Sequence, residues 1–171
     1  MLILSNWAFL FPDIAWAAGT EIVVREVGGA PETQTTVSGG PGEFDVHTST
    51  IHSQTQTALN SFSRFNVGDV DTVNLYIPDD AQNLLNLVYD EPSSILGTLN
   101  SYKEGRPGVI DGNVYFLNPH GVLIGTDGVV NVGALSIVTP TTEFMTGFLT
   151  IPIRRFQTPS RERFQLTAKA P

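Results

Sequence analysis

The stretch from Gly112 to Gly125 decides the fold, and it reads GNVYFLNPHGVLIG. One apolar run lies on each side of an Asn-Pro-His-Gly turn. Pro119 fixes its own φ and pushes Asn118 towards an extended conformation, so the first strand ends at a set angle. Gly121 can adopt the positive φ that a tight corner often requires. The stretch therefore predicts two short strands joined by a sharp corner, with Asn118 bonding nearby backbone groups.

Brief apolar runs of the same kind continue to position 138, and Gly, Asn or Asp turns separate most of them. Uninterrupted apolar runs are typical of parallel strands that are buried on both faces. Parallel neighbours normally need a crossover of about a dozen residues, and most turns here are shorter. A β-helix removes the conflict, because each coil turns to another face and strands pair between successive coils. An antiparallel sandwich of hairpins is the alternative. The runs are Ile95 to Leu99, Val114 to Leu117, Val122 to Ile124, Val129 to Val132 and Ala134 to Val138.

The N-terminal half adds further strand patterns, in which apolar and polar residues alternate or apolar residues follow one another. A polar stretch after the first of them is predicted to be a loop, because it is rich in turn residues, namely Pro31, Gly39, Gly40, Pro41 and Gly42. The predicted strands are Glu21 to Val27, Phe44 to Ile51, Phe62 to Val67 and Thr72 to Ile77.

One segment predicts a helix instead. Asp79 and Asp80 can cap it, and Pro92 would end it. Spacings of three and four place its apolar residues on one stripe, and these residues are Leu84, Leu87 and Val88.

Composition narrows the classes of function. The 171-residue chain has 41% hydrophobic and 15% charged residues, which is typical of a folded protein. Its net charge of −8 argues against a nucleic-acid partner, because phosphate backbones repel an acidic chain. It has no cysteine, which excludes disulfides, zinc–thiolate sites and thiol catalysis.

The first 17 residues predict a signal peptide. They are almost wholly apolar, and Ala15-Trp16-Ala17 fits the small-x-small pattern of a cleavage site, so we expect cleavage between Ala17 and Ala18. No Lys or Arg precedes Arg25, so either the true start lies upstream or the segment ends a longer export signal. A buried N-terminal strand or helix is the alternative.

The last 21 residues, 151–171, are a different kind of sequence. They hold five of the nine basic residues of the chain, and they match no pattern of the body. We expect this basic tail to reflect a truncated gene, a frameshift or a fragment of a longer protein.

The Gly112 to Gly125 run resembles the hallmark of the haemagglutination-activity domain, the N-terminal domain of two-partner-secreted, filamentous-haemagglutinin-type adhesins. In that family an Asn-Pro-Asn-Gly-type turn follows an apolar strand, and here His120 replaces the second Asn. The matches run from about Thr20 to Phe148, and the Phe44 to Val88 portion is similar to the leukotoxin-like filamentous adhesin branch. Further segments in the family's order are Asn60 to Val67, Val73 to Leu75, Ser94 to Leu99 and Gly128 to Leu135.

The resemblance implies an all-β fold, a right-handed parallel β-helix of the single-stranded, pectin-lyase-like kind, with an N-terminal cap and small extra-helical elements. It implies that residues 18–150 are a secretion domain, exported through the periplasm and outer membrane of a Gram-negative-type bacterium and then secreted or held at the cell surface. The implied partner is an outer-membrane β-barrel transporter with periplasmic domains. Host-cell or surface receptors would belong to the full-length protein.

The resemblance also assigns residues. It implies that Asn118, Pro119, His120 and Gly121 form the motif that the transporter recognises, whereas the residues alone favour a purely structural turn. A second set is predicted to be structural. Its asparagines would stack between coils or lie exposed in turns, and it comprises Asn66, Asn74, Asn113, Asn131 and Gly133.

An enzyme is not expected, and neither a cofactor nor a metal site is predicted. The three histidines, His47, His52 and His120, are scattered along the chain. The acidic pairs lie in predicted turns or helix ends, and they are Asp69/Asp71, Asp79/Asp80 and Asp90/Glu91. A β-helix hydrolase or lyase would need carboxylates converging on one face. The alternatives are a carbohydrate-binding or carbohydrate-cleaving β-helix and a non-functional adhesin fragment.

Overall fold

The computed structural model describes residues 19–52 and 55–150, so the predicted signal peptide with Ala17 and Ala18, and the basic tail at 151–171, lie outside the described residues. The described residues form sixteen strands and one helix. The strands are β1 (Glu21–Val24), β2 (Glu26–Val27), β3 (Ala30–Pro31), β4 (Thr35–Gly40), β5 (Glu43–Thr48), β6 (Ile51–His52), β7 (Thr57–Val67), β8 (Thr72–Ile77), β9 (Asn83–Val88), β10 (Ser93–Ile95), β11 (Thr98–Lys103), β12 (Arg106–Ile110), β13 (Asn113–Leu117), β14 (Val122–Ile124), β15 (Val129–Asn131) and β16 (Ala134–Val138), and the helix is α1 (Thr142–Thr150).

Three parallel ladders make up the body. The first joins the start of β7 to β9, β13 and β16. The second joins the end of β7 to β10 and β14, and the third joins β5, β8, β11 and β15. The chain visits the ladders in this order on each coil, and strands pair only with the coil before or after. The fold is therefore a parallel β-helix of three coils, with β16 beginning a fourth, as predicted.

The coils differ in length. Register partners Asn74 and Asn100 are 26 residues apart, whereas Asn100 and Asn131 are 31 residues apart. The longer interval contains β12, which folds back antiparallel on β11. Strands β11 and β12 thus form a hairpin, in which β12 is an extra-helical strand added to the second coil.

Antiparallel strands cap the N-terminal end. Strands β4 and β5 form a hairpin around the Pro41-Gly42 turn, with Thr35 opposite Thr48, and β5 also starts the third ladder. Strand β1 lies antiparallel on β7, with Glu21 opposite Asn66. The loop predicted between the first two strands was wrong at β4, because hairpin pairing with β5 overrides the low strand propensity of its Gly residues.

The core lies inside the coils. The rings of Phe62 and Phe116 each lie 5.2 Å from that of Phe65, and all three side chains are buried. Val, Leu and Ile residues from the three ladders fill the remaining space. Burying one such side chain stabilises the fold by about 1.5–3 kcal/mol, so apolar packing holds this cysteine-free chain together.

The predicted helix at Asp79 to Val88 was wrong, because strand β9 occupies Asn83–Val88 and pairs with both β7 and β13. Leu84 and Val88 face the core, and Leu87 is buried although strand alternation places it on the opposite face. Because β9 carries apolar residues on both faces, their spacing in the sequence matched that of an apolar stripe on a helix.

Helix α1 was not predicted. Thr141 accepts a hydrogen bond from the backbone nitrogen of Phe144 at 3.2 Å, which is the contact of a helix N-cap. Glu143 in the first turn suits the positive end of the helix dipole. In the described parts of the chain, no helix has both the length and the apolar character needed to cross a membrane.

Candidate functional site

The Asn-Pro-His-Gly motif forms the corner between β13 and β14 on the third coil. The backbone nitrogen of Gly121 donates to the carbonyl of Asn118 at 3.1 Å, and that of His120 donates to Asn118 Oδ1 at 2.8 Å. Asn at the first position, Pro at the second and Gly at the fourth are favoured in type I turns. Gly121 has a φ of +93°, which explains why glycine suits the last position. We refer to residues 118–121 as the corner turn.

Asn118 holds the corner turn against the neighbouring coils. Its side chain is fully buried, and Nδ2 donates to the carbonyl of Glu91 at 2.9 Å and to Ser93 Oγ at 3.0 Å. Its backbone nitrogen donates to the carbonyl of Val138 at 3.1 Å. One residue thus connects the third coil to the second and to the start of the fourth. Because this amide is buried, it shapes the surface of the turn but has no exposed atom that could contact a partner.

His120 is the exposed member of the corner turn, and Pro119 is half-buried beside it. The Nε2 atom of His120 lies 3.1 Å from the carbonyl oxygen of Tyr89 on the coil before. The imidazole is therefore oriented by the preceding corner. Between them, His120 and Pro119 supply the outward surface of the turn.

The equivalent corners of the earlier coils carry charges. Arg64, on the first coil, pairs with Glu21 of β1 at 2.6 Å and with Glu91 of the second coil at 3.1 Å. All three side chains are partly exposed. The corner turn therefore continues a column of corners in which basic and acidic groups alternate.

A cation–π contact lies under this column. The guanidinium carbon of Arg25 is 4.1 Å from the centre of the Tyr89 ring, and Arg25 also lies near Glu32 and Asp90 at 3.5 and 3.6 Å. Burial, and next the carboxylate of Glu32, raise the pKa of the Tyr89 hydroxyl well above its ordinary value. The Tyr89 ring thus packs against Arg25 beneath this column, and the backbone carbonyl of Tyr89 lies beside His120.

The predicted structural asparagines lie in strands rather than at corners. On the third ladder, Asn131 donates to Asn100 and Asn100 donates to Asn74, each at 3.0 Å. Asn74 in turn donates to Glu43 and Asp45 at 2.9 and 3.0 Å. These side chains form a hydrogen-bonded row along the axis, which we call the outer asparagine row. Its contribution to stability stays a prediction.

The other predicted asparagines make similar contacts on the first two ladders. Asn113 donates to Asn83 at 3.1 Å, and Asn66 Oδ1 accepts bonds from Ser94 N and Oγ at 2.8 and 3.0 Å. Gly133 lies against another corner glycine, because a Cβ added there would be 2.7 Å from the carbonyl oxygen of Gly112. No side chain fits at that point without a backbone shift.

Sequence reasoning missed a second set of polar residues, inside the core. Asn60 and Asn86 are fully buried, and Asn60 Nδ2 donates to Asn86 Oδ1 at 2.9 Å. The hydroxyls of Thr35 and Thr48 both donate to Asn60 Oδ1 at 2.8 Å. Alternation could have revealed the pair, because each Asn lies between two inward apolar positions, 26 residues apart.

The acidic residues considered for catalysis make separate structural contacts. Asp71 accepts bonds from the backbone nitrogens of Thr20 and Gly42, and Asp79 accepts one from Gly105. Asp90 and Glu91 pair with arginines. Among residues 19–52 and 55–150, no group of three or more His, Asp or Glu side chains could hold a metal ion.

The remaining histidines lie elsewhere. His47 Nδ1 is 2.9 Å from Glu104, and its ring stacks on Tyr76 at 4.4 Å between centres. His52 Nδ1 lies 2.6 Å from the hydroxyl of Thr55. The structure thus places neither of them beside His120.

Comparisons with known proteins complete the description of the site. A solved structure described as the crystal structure of filamentous hemagglutinin secretion domain is 22% identical to the chain, with a TM-score of 0.49. The match covers 68% of this chain and 41% of that one, so the chain spans less than half of that protein's length. No curated protein matches the chain. The family model described as the TPS secretion domain matches residues 26–157, and the chain therefore belongs to the family of two-partner secretion (TPS) domains.

Proposed function

We propose that residues 18–150 are the secretion module of a longer adhesin of the filamentous-haemagglutinin type, and that an outer-membrane β-barrel transporter with periplasmic domains recognises it. The family match over residues 26–157 carries this proposal. Residues 1–17 would act as the signal peptide, with cleavage between Ala17 and Ala18. Residues 151–171 would lie outside the module, and the family match takes in only the first seven of them. The mature chain would then be secreted or held at the cell surface of a Gram-negative-type bacterium, where other parts of the adhesin would meet host receptors.

We propose that the corner turn is the surface that the transporter recognises. Asn118 is buried and bonded on three sides, so its role is to build the turn. His120 is exposed and Pro119 is half-buried, so these two would make the contact. The motif therefore divides into a residue that shapes the corner and residues that face outward. A change at either kind of position would impair secretion, but only the first kind would impair the fold.

The last described coil supports a role in starting β-helix formation. Five apolar residues there are between 39% and 46% exposed, namely Leu123, Ile124, Val129, Ile137 and Val138. A coil of a solenoid hides its apolar edge only against the next coil. Further coils of a full-length adhesin would therefore add onto β14, β15 and β16. Folding outside the cell would draw the chain outward without ATP.

Co-expression with the cognate transporter tests the recognition role. We expect His120→Ala to lower the amount of secreted chain by about tenfold, which corresponds to the loss of about 1.4 kcal/mol of binding. Thr126→Ala is the matched control, since Thr126 is exposed in the Gly125–Gly128 turn of the same coil. The double change Asn118→Ala, Pro119→Ala should block secretion. Secreted and periplasmic chain would be measured by quantitative immunoblotting.

Purified variants separate recognition from folding. His120→Ala should keep the β-sheet circular dichroism and the melting temperature of the unmodified chain, because its side chain is exposed. Normal secretion of both the His120→Ala and the double variant would refute the recognition role. The β-helix fold would be unaffected by that result.

A further inference from the structure

The buried polar network begins in the N-terminal hairpin. Thr35 lies on β4 and Thr48 lies opposite it on β5, and both hydroxyls donate to Asn60 Oδ1 at 2.8 Å. Thr33 Oγ1 lies 2.8 Å from Thr35 Oγ1 and also accepts a bond from the backbone nitrogen of Ser61. All these residues are nine-tenths buried or more. The hairpin thus contacts the first coil through polar side chains inside the core.

The network then passes along the axis to the second coil. Asn60 Nδ2 donates to Asn86 Oδ1 at 2.9 Å, and Asn86 Nδ2 lies 3.4 Å from the carbonyl oxygen of Tyr115 on the third coil. Asn60 and Asn86 are direct register partners on β7 and β9. Both side chains are 0% exposed, so water is not available to replace these bonds.

The alignment of β7 with β9 decides whether this network can form. A slip of one residue would turn every side chain of β9 to the other face. A slip of two residues would keep the faces but place Asn60 opposite Leu84 or Val88. Two amides would then be buried without each other, which disfavours the slipped state by at least about fivefold per group. The apolar neighbours alone would discriminate less, because Ala58, Leu84 and Val88 offer no directional bonds.

The network ends where the third coil begins. Phe116 is the register partner of Asn86 on β13, and its ring packs against Phe65 inside the core. The polar side chains of the network therefore belong to the hairpin and the first two coils, and their last contact is with a backbone carbonyl of the third coil. This is the part of the β-helix that has no earlier coil on which to align.

We propose that the Thr35–Thr48–Asn60–Asn86 network is a register lock, through which the N-terminal hairpin fixes the alignment of the first two coils. Later coils take up the same alignment because each of their strands pairs with a strand of the coil before. The lock acts on specificity: buried polar pairs select one register at some cost in stability, and apolar replacements of similar shape are often tolerated. The inference does not depend on the transporter and goes beyond the proposed function.

Cysteine cross-linking of the full 171-residue chain tests the lock, because the natural sequence has no cysteine. Leu59→Cys with Leu85→Cys reports the native alignment, since these positions are register partners. Leu59→Cys with Asn83→Cys reports a slip of two residues. Each chain would be refolded and treated with a bifunctional methanethiosulfonate whose span of about 5 Å matches the spacing of neighbouring strands. Mass spectrometry would then quantify the linked peptides.

We expect the unmodified background to favour the native pair at least about tenfold over the slipped pair. Asn60→Leu with Asn86→Leu should keep the β-sheet circular dichroism but bring the two yields to within about threefold, because RT ln 3 is smaller than one lost buried bond. A single native alignment in this double variant would overturn the proposal. Loss of its fold would also overturn it, since the network would then supply stability rather than alignment.

A relocated lock gives a positive test. Leu84→Asn with Asn86→Leu moves the second amide by two positions. The proposal requires the cross-link to move with it, from the 59/85 pair to the 59/83 pair. Retention of the 59/85 pair as the dominant product in this variant would refute the lock.

Discussion

The side-chain amide of Asn118 donates a hydrogen bond to the hydroxyl of Ser93, 25 residues earlier on the neighbouring coil, at 3.0 Å. The same amide donates to the carbonyl of Glu91, while its oxygen accepts from the backbone nitrogen of His120. The corner turn is consequently part of the inter-coil hydrogen bonding. A partner that recognised this corner would recognise a feature whose hydrogen bonds extend across stacked coils.

Asn118→Ala should lower the free energy of unfolding by about 1–3 kcal/mol, because it removes the donor to the Glu91 carbonyl and to the hydroxyl of the buried Ser93. Asn118→Asp should cost more, since it loses the same donor and also buries a carboxylate against the carbonyl oxygen of Glu91. Urea unfolding followed by circular dichroism measures both changes.

Thr126→Ala serves as the control for this pair, and its unfolding free energy should stay within about 0.5 kcal/mol of the unmodified chain. If Asn118→Ala changed stability as little as Thr126→Ala does, the hydrogen bonds of Asn118 would not support the corner turn.

Asp71 gives the chain an acid-sensitive contact at the capped end. Hydrogen bonds from Thr20, and then from Gly42, hold the pKa of the Asp71 carboxyl below its ordinary value of 3.8. A carboxylate with a lowered pKa stabilises the folded state above its unfolded pKa, and this stability is lost as the pH falls through the folded pKa. Asp71→Asn should therefore be less stable than the unmodified chain at pH 6, and the difference should shrink below pH 3.8.

Urea midpoints measured from pH 6 down to pH 2 would show this dependence. Asp127→Asn, in the exposed Gly125–Gly128 turn, provides a control that removes the same charge from another corner. A stability difference for Asp71→Asn that stayed constant over the whole range would show that the carboxylate contacts do not stabilise the cap.

The sequence predicted most of the strands that make up the ladders. The bounds predicted for Thr72 to Ile77, Val122 to Ile124 and Ala134 to Val138 are confirmed as β8, β14 and β16. These strands are short, and glycines or turn residues flank most of their ends. The apolar pattern therefore predicted the observed strand boundaries. The β-helix followed from the short turns between them, which leave no room for conventional crossovers.

The errors have a common physical origin in contacts that are distant in sequence. Strand β9 was mistaken for a helix because Leu87 is buried on the face away from the core, so the apolar residues do not alternate. The register could not be predicted, since β12 lengthens the interval from Asn100 to Asn131 to 31 residues. Asn60 and Asn86 both precede β12, where the coils keep a spacing of 26 residues, so the alternation of their strands could have revealed this pair.

The outer asparagine row contains two asparagines, Asn100 and Asn131, that differ in burial and in the number of bonds they make along the row. Asn100 donates to Asn74 and accepts from Asn131, and it is 8% exposed. Asn131 donates to Asn100 and is exposed at the end of β15. Asn100→Ala should therefore lower the unfolding free energy by about 1–2 kcal/mol, whereas Asn131→Ala should change it by about 0.5 kcal/mol or less.

Chemical denaturation of the two single variants and of the double variant would measure this order and the coupling between the sites. Because Asn131→Ala removes one of the two bonds that Asn100 makes along the row, the double variant should lose less stability than the two single losses combined. Equal losses for the two single variants, combined with full additivity, would contradict a cooperative row. They would mean that each asparagine acts only through its own strand, and that the row adds nothing to the backbone pairing and apolar packing of the third ladder.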